Sequence, residues 1–159
     1  MPRDFKVIVD DLQSDGALRD FHIRATNRLD WHAVLRWSRI KREANRFTVD
    51  SEPRELPQAF EVIEHLRQQA SLCWSVRVAG ADVNCHFFCE EQIEFDFRPE
   101  AYRTPERWSA LCAFFQEIVD VVGKSGVVTH EHAEDDVIDR FEPRTKAEKS
   151  LEKSHCLEQ

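Results

Sequence analysis

Three polar residues in the middle of the chain have the types found in a hydrolytic triad. Ser75, His86 and Glu94 each alternate with apolar residues on consecutive strand-like runs. If Val78 pairs with Val83 across the first turn, the three side chains fall in one cross-strand row, with neighbours about 5 Å apart at Cβ. A serine, a histidine and a carboxylate in such a row could perform nucleophilic hydrolysis.

A solvated sheet face with a favourable histidine–carboxylate neighbour explains the same residues, and the sequence favours this explanation. A nucleophilic serine usually lies on a strained turn or a helix start, beside backbone N–H groups that stabilise an oxyanion. In the middle of a regular strand those N–H groups bond to the neighbouring strand. A hydrolase would therefore need a concave, semi-enclosed pocket around His86.

Metal binding is a second candidate chemistry. Cys85, His86 and Cys89 are close in sequence, but on a straight strand His86 points away from the two cysteines, and no Cys-x-x-Cys pair is present. His130 and His132 share one side of an extended segment and could take up a transition metal adventitiously. We expect no catalytic residue, no metal site and no cofactor.

An acidic segment near the C-terminus is a third candidate. From Glu131 to Glu142, six carboxylates accompany one arginine, without the spacing of a calcium-binding EF-hand. A solvated loop is the usual structure of such a run. As a docking surface it would steer a basic protein and pair with its lysines and arginines. We expect Glu131, Glu134, Asp135 and Asp136 to form this surface.

Trp37 is a candidate anchor for the same partner. With Ala33 and Ile40 it forms a second apolar stripe, away from Val34, on a short helix that is expected to begin after an Asp30 N-cap. One helix cannot easily bury two sides. Either this helix is packed between two layers, or Trp37 is exposed and available to a partner.

The chain between about residues 71 and 98 predicts the elements that carry the polar row. Its three alternating runs predict an antiparallel meander with every apolar side chain on one face. Gly80 occupies the position of positive φ in a type II′ hairpin turn. The second loop places Phe87 opposite Ile93.

A capped helix follows the meander. Thr104, Pro105 and Glu106 predict its start, and Gly123 predicts its end after an apolar stripe. The remaining periodicity predicts a strand over 5–10, a strand over 21–25, a helix over 57–69 and short strands over 46–49 and 127–129.

Composition places the chain among single-domain proteins with one core. It has 159 residues, of which 42% are hydrophobic, and a net charge of −8, which works against binding to nucleic acids or anionic membranes. Neither a secretory signal nor an apolar segment long enough to span a bilayer is evident. The five cysteines are therefore expected to be reduced thiols in the cytoplasm.

One pattern extends over the second half of the chain. It consists of the run from Ile93 to Trp108, the long helix after it, and the segments Gly126–Glu131 and Val137–Phe141. This pattern resembles small bacterial proteins. Some of these are regarded as immunity proteins of polymorphic or contact-dependent toxins. The resemblance covers about Ile93–Phe141 and includes no catalytic signature. It implies a cytosolic, often acidic protein that occludes the active site or substrate path of a toxin.

The sequence thus predicts a single α+β domain over residues 1–143, with helices on one face of an antiparallel sheet, and a charged tail over 144–159 that is disordered or helical. We expect a non-enzymatic immunity protein that neutralises a basic toxin. Two alternatives stay open: a small hydrolase that uses Ser75, His86 and Glu94, and a homodimeric scaffold paired through the polar sheet face.

Overall fold

A computed structural model describes residues 3–40 and 45–156 as one α+β domain. Within these residues the helices are α1 (Phe5–Ile8), α2 (Arg28–Ile40), α3 (Phe60–Arg67), α4 (Pro105–Val122) and α5 (Lys146–Cys156). The strands are β1 (Arg19–Arg24), β2 (Asn45–Val49), β3 (Glu52–Arg54), β4 (Leu72–Val78), β5 (Ala81–Cys85), β6 (Gln92–Phe97), β7 (Gly126–His130) and β8 (Ala133–Phe141).

The eight strands form one antiparallel sheet in the order β3-β2-β4-β5-β6-β1-β7-β8, with the helices packed on one face. This confirms the predicted fold class. Both edges discourage pairing with further strands: β3 is short and contains Pro53, and β8 is rich in carboxylates. No helix in the described ranges has the length and apolar character needed to cross a membrane.

Aromatic rings fill the layer between the sheet and the helices. Phe21 of β1 stacks on Phe115 of α4 with ring centroids 4.1 Å apart, and Trp31 of α2 stacks on Phe60 of α3 at 5.0 Å. Gly126 permits this packing, because a Cβ atom there would lie 2.6 Å from the Phe21 ring. The core therefore holds α4 against the centre of the sheet.

The predicted caps of α4 are confirmed. The Thr104 side chain accepts a hydrogen bond from the Arg107 N–H at 3.3 Å, Pro105 is the first helical residue, and Gly123 ends the helix with φ of 74°. At α2 the predicted cap is wrong by three residues. Asn27 caps that helix, and Asp30 bonds back to the Asn27 N–H at 3.0 Å as the other half of a capping box.

The meander is confirmed, but the register of its first hairpin differs from the prediction by two residues. Val76 faces Val83, and Ala79 and Gly80 form the turn with φ of 49° and 82°. Two positive φ values define a type I′ turn, which starts one residue earlier than the predicted II′ turn. The second hairpin has the predicted register only at Val83 and Asn84, with Asn84 opposite Asp96. The predicted pair of Phe87 with Ile93 is wrong, because β5 ends at Cys85 and Phe87 has a φ of 57°.

The predicted strand over residues 5–10 is wrong. The segment forms α1 and a 3₁₀ turn, Val9–Leu12, in which Ile8 and Leu12 are both fully buried. They are four positions apart in the sequence, which is helical spacing. Asp4 favours the helix because its side chain accepts a bond from the Lys6 N–H at 2.9 Å.

The C-terminal tail is helical as far as it is described. Before α5, the Arg144 guanidinium lies 2.7 Å from the Asp120 carboxylate of α4. Desolvation acts to raise the pKa of Asp120, but hydrogen bonds from Arg144 and Gln116, together with the Arg144 charge, outweigh it and lower the pKa. The connection to α5 is therefore fixed to the helical layer by a charge pair.

Candidate functional site

The predicted row of Ser75, His86 and Glu94 is not formed. In the observed register Ser75 faces Asn84, and its hydroxyl donates to Asn84 Oδ1 at 2.6 Å. His86 lies one row away, with Nε2 3.1 Å from Asp96 Oδ2. The two-residue shift of the first hairpin separates Ser75 from His86, because it keeps each side chain on its predicted face but moves it along the strand.

His86 lies on the open face of the sheet. Its side chain is 35% exposed, and its ring packs beside the exposed Phe88 at a centroid distance of 5.5 Å. His86 does not line any of four surface clefts formed by the described residues. The hydrogen bond to Asp96 raises the pKa of His86. Since Ser75 bonds to Asn84 instead, the row of Ser75, His86 and Glu94 on which the hydrolase alternative is based is not formed.

Carboxylates gather on the face of the sheet opposite the helices. Asp20 of β1 stands directly opposite Asp96 of β6, and Glu94 lies one row away. Burial is the main cause of a raised pKa at Asp20, and the Asp96 charge adds to it. Burial also raises the pKa of Glu94, and there the Asp20 charge adds to it. A symmetric dimer through this face would bring the like charges of two copies together, which disfavours the predicted scaffold.

The acidic run, expected to be a solvated loop, is instead a bulged edge strand. Ala133 of β8 pairs with His130, whereas Val137 pairs with the preceding residue of β7, Thr129. Neighbouring residues of β7 thus face residues four apart on β8. The three carboxylate residues in between, Glu134–Asp136, have no partner in the ladder and are displaced from it as an acidic bulge.

The carboxylates of the acidic bulge differ in their exposure and in their contacts with the rest of the protein. Asp135 is exposed and has no hydrogen-bond or ion-pair partner in the described part of the chain. Asp136 is 67% exposed and lies 3.9 Å from His130. Glu134 is exposed but bonds to the Arg24 guanidinium at 2.7 Å. A partner could therefore reach all three carboxylates. Contact with Asp135 would break no existing hydrogen bond or ion pair of the described residues.

Two other carboxylates of the run have structural roles. Glu131 accepts a bond from the Leu18 N–H at 2.9 Å, and its side chain is 29% exposed, so it is the least available of the predicted contact residues. Asp139 is buried, and both of its oxygens accept from the Arg3 N–H. Burial raises the pKa of Asp139.

Trp37 is packed between two helices. It is half-buried, its Nε1 donates to Glu117 of α4 at 3.1 Å, and its ring lies 5.6 Å from Phe114. Elsewhere on α2, Trp31 and Val34 are fully buried. Contacts with α4 therefore cover part of Trp37, and only its remaining exposed edge could serve as the predicted anchor.

His22 is the polar residue that the sequence reading missed. It is 2% exposed, and neither ring nitrogen has a hydrogen-bond partner among the described residues. Burial, with the Arg24 charge as the next cause, lowers its pKa, so the ring is neutral near pH 7. The alternation of β1 places His22 on the polar face, but no local signal shows that it is buried there.

The described residues contain no group of three or more histidine, cysteine, aspartate or glutamate side chains arranged to hold a metal ion. Comparison with protein-family models, with curated proteins and with solved structures finds no match for this chain. The resemblance to immunity proteins therefore stays a prediction, and functional inference rests on the surface itself.

Proposed function

We propose that this protein binds a basic protein partner through the acidic bulge and acts as a cytoplasmic immunity protein that neutralises a bacterial toxin without covalent chemistry. The observation that carries the proposal is the displacement of three consecutive carboxylate residues, Glu134–Asp136, from the sheet edge onto the surface. A strand that only completed the sheet would not need this bulge.

Charge supports the proposal in two ways. The acidic bulge projects beside a sheet face that already carries Asp20, Glu94 and Asp96, and the whole chain has a net charge of −8. Fields of this kind steer a basic partner and raise its association rate, most strongly at low ionic strength. Many toxin domains that degrade nucleic acids are basic, and blocking their substrate path requires a matching acidic surface.

The test compares two charge reversals of equal size. Asp135→Lys together with Asp136→Lys changes the proposed contact surface. Glu52→Lys together with Glu55→Lys makes the same change of net charge at the other edge of the sheet, where both side chains are exposed. The wild-type chain is first used to capture partners from its host, and the captured protein is identified by mass spectrometry and purified.

We expect a basic partner whose toxicity to growing cells is abolished by the wild-type chain. Its association with Asp135→Lys/Asp136→Lys should be at least about tenfold slower at low salt, whereas the control pair should bind within about twofold of wild type. Capture of no basic partner, an unaltered rate for the first pair, or equal losses for both pairs would each reject the proposed surface.

A further inference from the structure

A cleft of about 680 Å³ lies between the acidic bulge and the face of the sheet opposite the helices. Strands β1, β7 and β8 and the turn before β7 contribute its walls. The polar residues that matter here are His22, Arg24, Lys124, Ser125 and Arg140. Three cationic side chains thus line the cleft together with two carboxylates, Glu134 and Asp135.

The cations of this cleft have more N–H donors than the protein satisfies. The Arg140 side chain is exposed and has no partner among the described residues. Arg24 uses one N–H group for Glu134, at 2.7 Å. The Lys124 ammonium bonds to Ala25 O at 2.7 Å and to Asp30 at 2.6 Å, which leaves one proton. The unmet hydrogen-bonding capacity is therefore mainly that of donors.

His22 is an independent sign of a ligand. It lines the same cleft, next to Val127 in the register of β1 and β7, and its buried Nε2 has no partner in the described part of the chain. Leaving a buried polar atom unpaired costs about 1–3 kcal/mol. A neutral imidazole offers one N–H donor and one acceptor, so a ligand oxygen could accept a bond from the ring.

We propose that this cleft binds a small molecule that carries a carboxylate or phosphate group. The oxyanion accepts charge-assisted hydrogen bonds from Arg140 and from the free N–H groups of Arg24 and Lys124, with the His22 ring beneath it. Asp135, at the rim, can accept a bond from a hydroxyl or ammonium group of the same molecule. Binding needs no protein partner, so this site goes beyond the proposed immunity function and can be tested alone.

The experiment follows the imidazole resonances of His22 by NMR in the full chain while inorganic phosphate or L-malate is added. These probes separate the two sources of an oxyanion. The variant Arg140→Gln removes the free guanidinium from the exposed rim of the cleft. Arg77→Gln is the matched control, because Arg77 is exposed on β4 and lies outside the cleft. Thermal unfolding checks that both variants are folded.

We expect a saturable shift of the His22 signals with at least one probe, together with a rise in the unfolding midpoint. Arg140→Gln should weaken binding about tenfold or more, since one charge-assisted contact is lost, while Arg77→Gln should leave it unchanged. A response to phosphate alone assigns a phosphate-bearing ligand, and a response to malate alone assigns a carboxylate. Non-saturable shifts with both probes, or equal affinities of wild type and Arg140→Gln, would overturn the proposal.

Discussion

Asp20 and Asp96 stand directly opposite each other on β1 and β6, on the sheet face that lies away from the helices. Like charges at opposed positions of neighbouring strands destabilise a sheet. Both are partly buried, and the Asp96 charge adds to burial in raising the pKa of Asp20. The pair therefore lowers stability near neutral pH and strengthens the negative potential of this face.

Replacing Asp20 by asparagine should stabilise the protein at neutral pH. We expect an increase of about 0.2–1 kcal/mol in the free energy of unfolding, because the opposed charge is removed while a similar shape is kept. The raised pKa of Asp20 gives the pH dependence: as the pH falls through it, the native wild type is protonated and the advantage of the variant disappears. Urea unfolding at several pH values measures this difference.

Asp82→Asn is the control for that experiment. Asp82 also faces a charged residue across a strand pair, but that residue is Arg77, with N···O of 3.5 Å. Its replacement should give no stabilisation. A destabilising effect of Asp20→Asn at neutral pH, or equal effects of both variants, would contradict the like-charge explanation.

The elements that the sequence predicted well are those with local signals. α4 has its cap, its first-turn proline and its terminal glycine within one segment, so its bounds required no tertiary information. The β5–β6 register at Val83 and Asn84 was also predictable, because hydrophobic alternation on the two strands agrees with that pairing.

The features that the sequence did not predict depend on distant parts of the chain. The first hairpin could shift by two residues without moving any apolar side chain off the core face, so hydrophobic alternation could not choose between Val76 and Val78 as the partner of Val83. The acidic bulge requires the register between β7 and β8. The burial of His22 depends on strands that are distant in sequence and pair with β1.

Gly126 should resist substitution because of the Phe21 ring. A Cβ atom at Gly126 would lie 2.6 Å and 2.8 Å from two carbons of that ring and 3.1 Å from Val119. We expect Gly126→Ala to lower the free energy of unfolding by about 1–3 kcal/mol. A double-mutant cycle with Phe21→Leu, followed by urea unfolding, should show a combined loss smaller than the sum of the single losses. Additive losses would show that the ring does not cause the effect.

Arg19 is the buried residue whose loss should cost the most among the charged positions. It is 1% exposed, its Nε donates to Asp11 O at 2.8 Å, and its guanidinium bonds to Asp15 and to carbonyls of the preceding loop. Arg19→Met should destabilise the protein by about 3 kcal/mol or more, because it leaves several carbonyls without a donor.

Asp15→Asn provides the comparison for Arg19. The Asp15 side chain is 51% exposed, so water can replace the lost contacts, and we expect a much smaller loss of stability than for Arg19→Met. Chemical denaturation of the two variants measures both values. Equal losses would mean that the ion pair, rather than the buried carbonyl contacts of Arg19, fixes the loop.

His86 should make the stability of the protein depend on pH around neutrality. Its hydrogen bond to Asp96 raises its pKa, so the protonated ring is favoured in the folded state. The sign follows from linkage: the contribution is fully present below the unfolded pKa of about 6.5 and is lost as the pH rises through the folded value. His86→Gln should therefore cost at most about 1 kcal/mol in acid, because the ring is partly exposed, and nothing near pH 9. An NMR titration of the ring should give a pKa above the ordinary histidine value, and a titration at or below that value would show that the bond to Asp96 does not persist in solution.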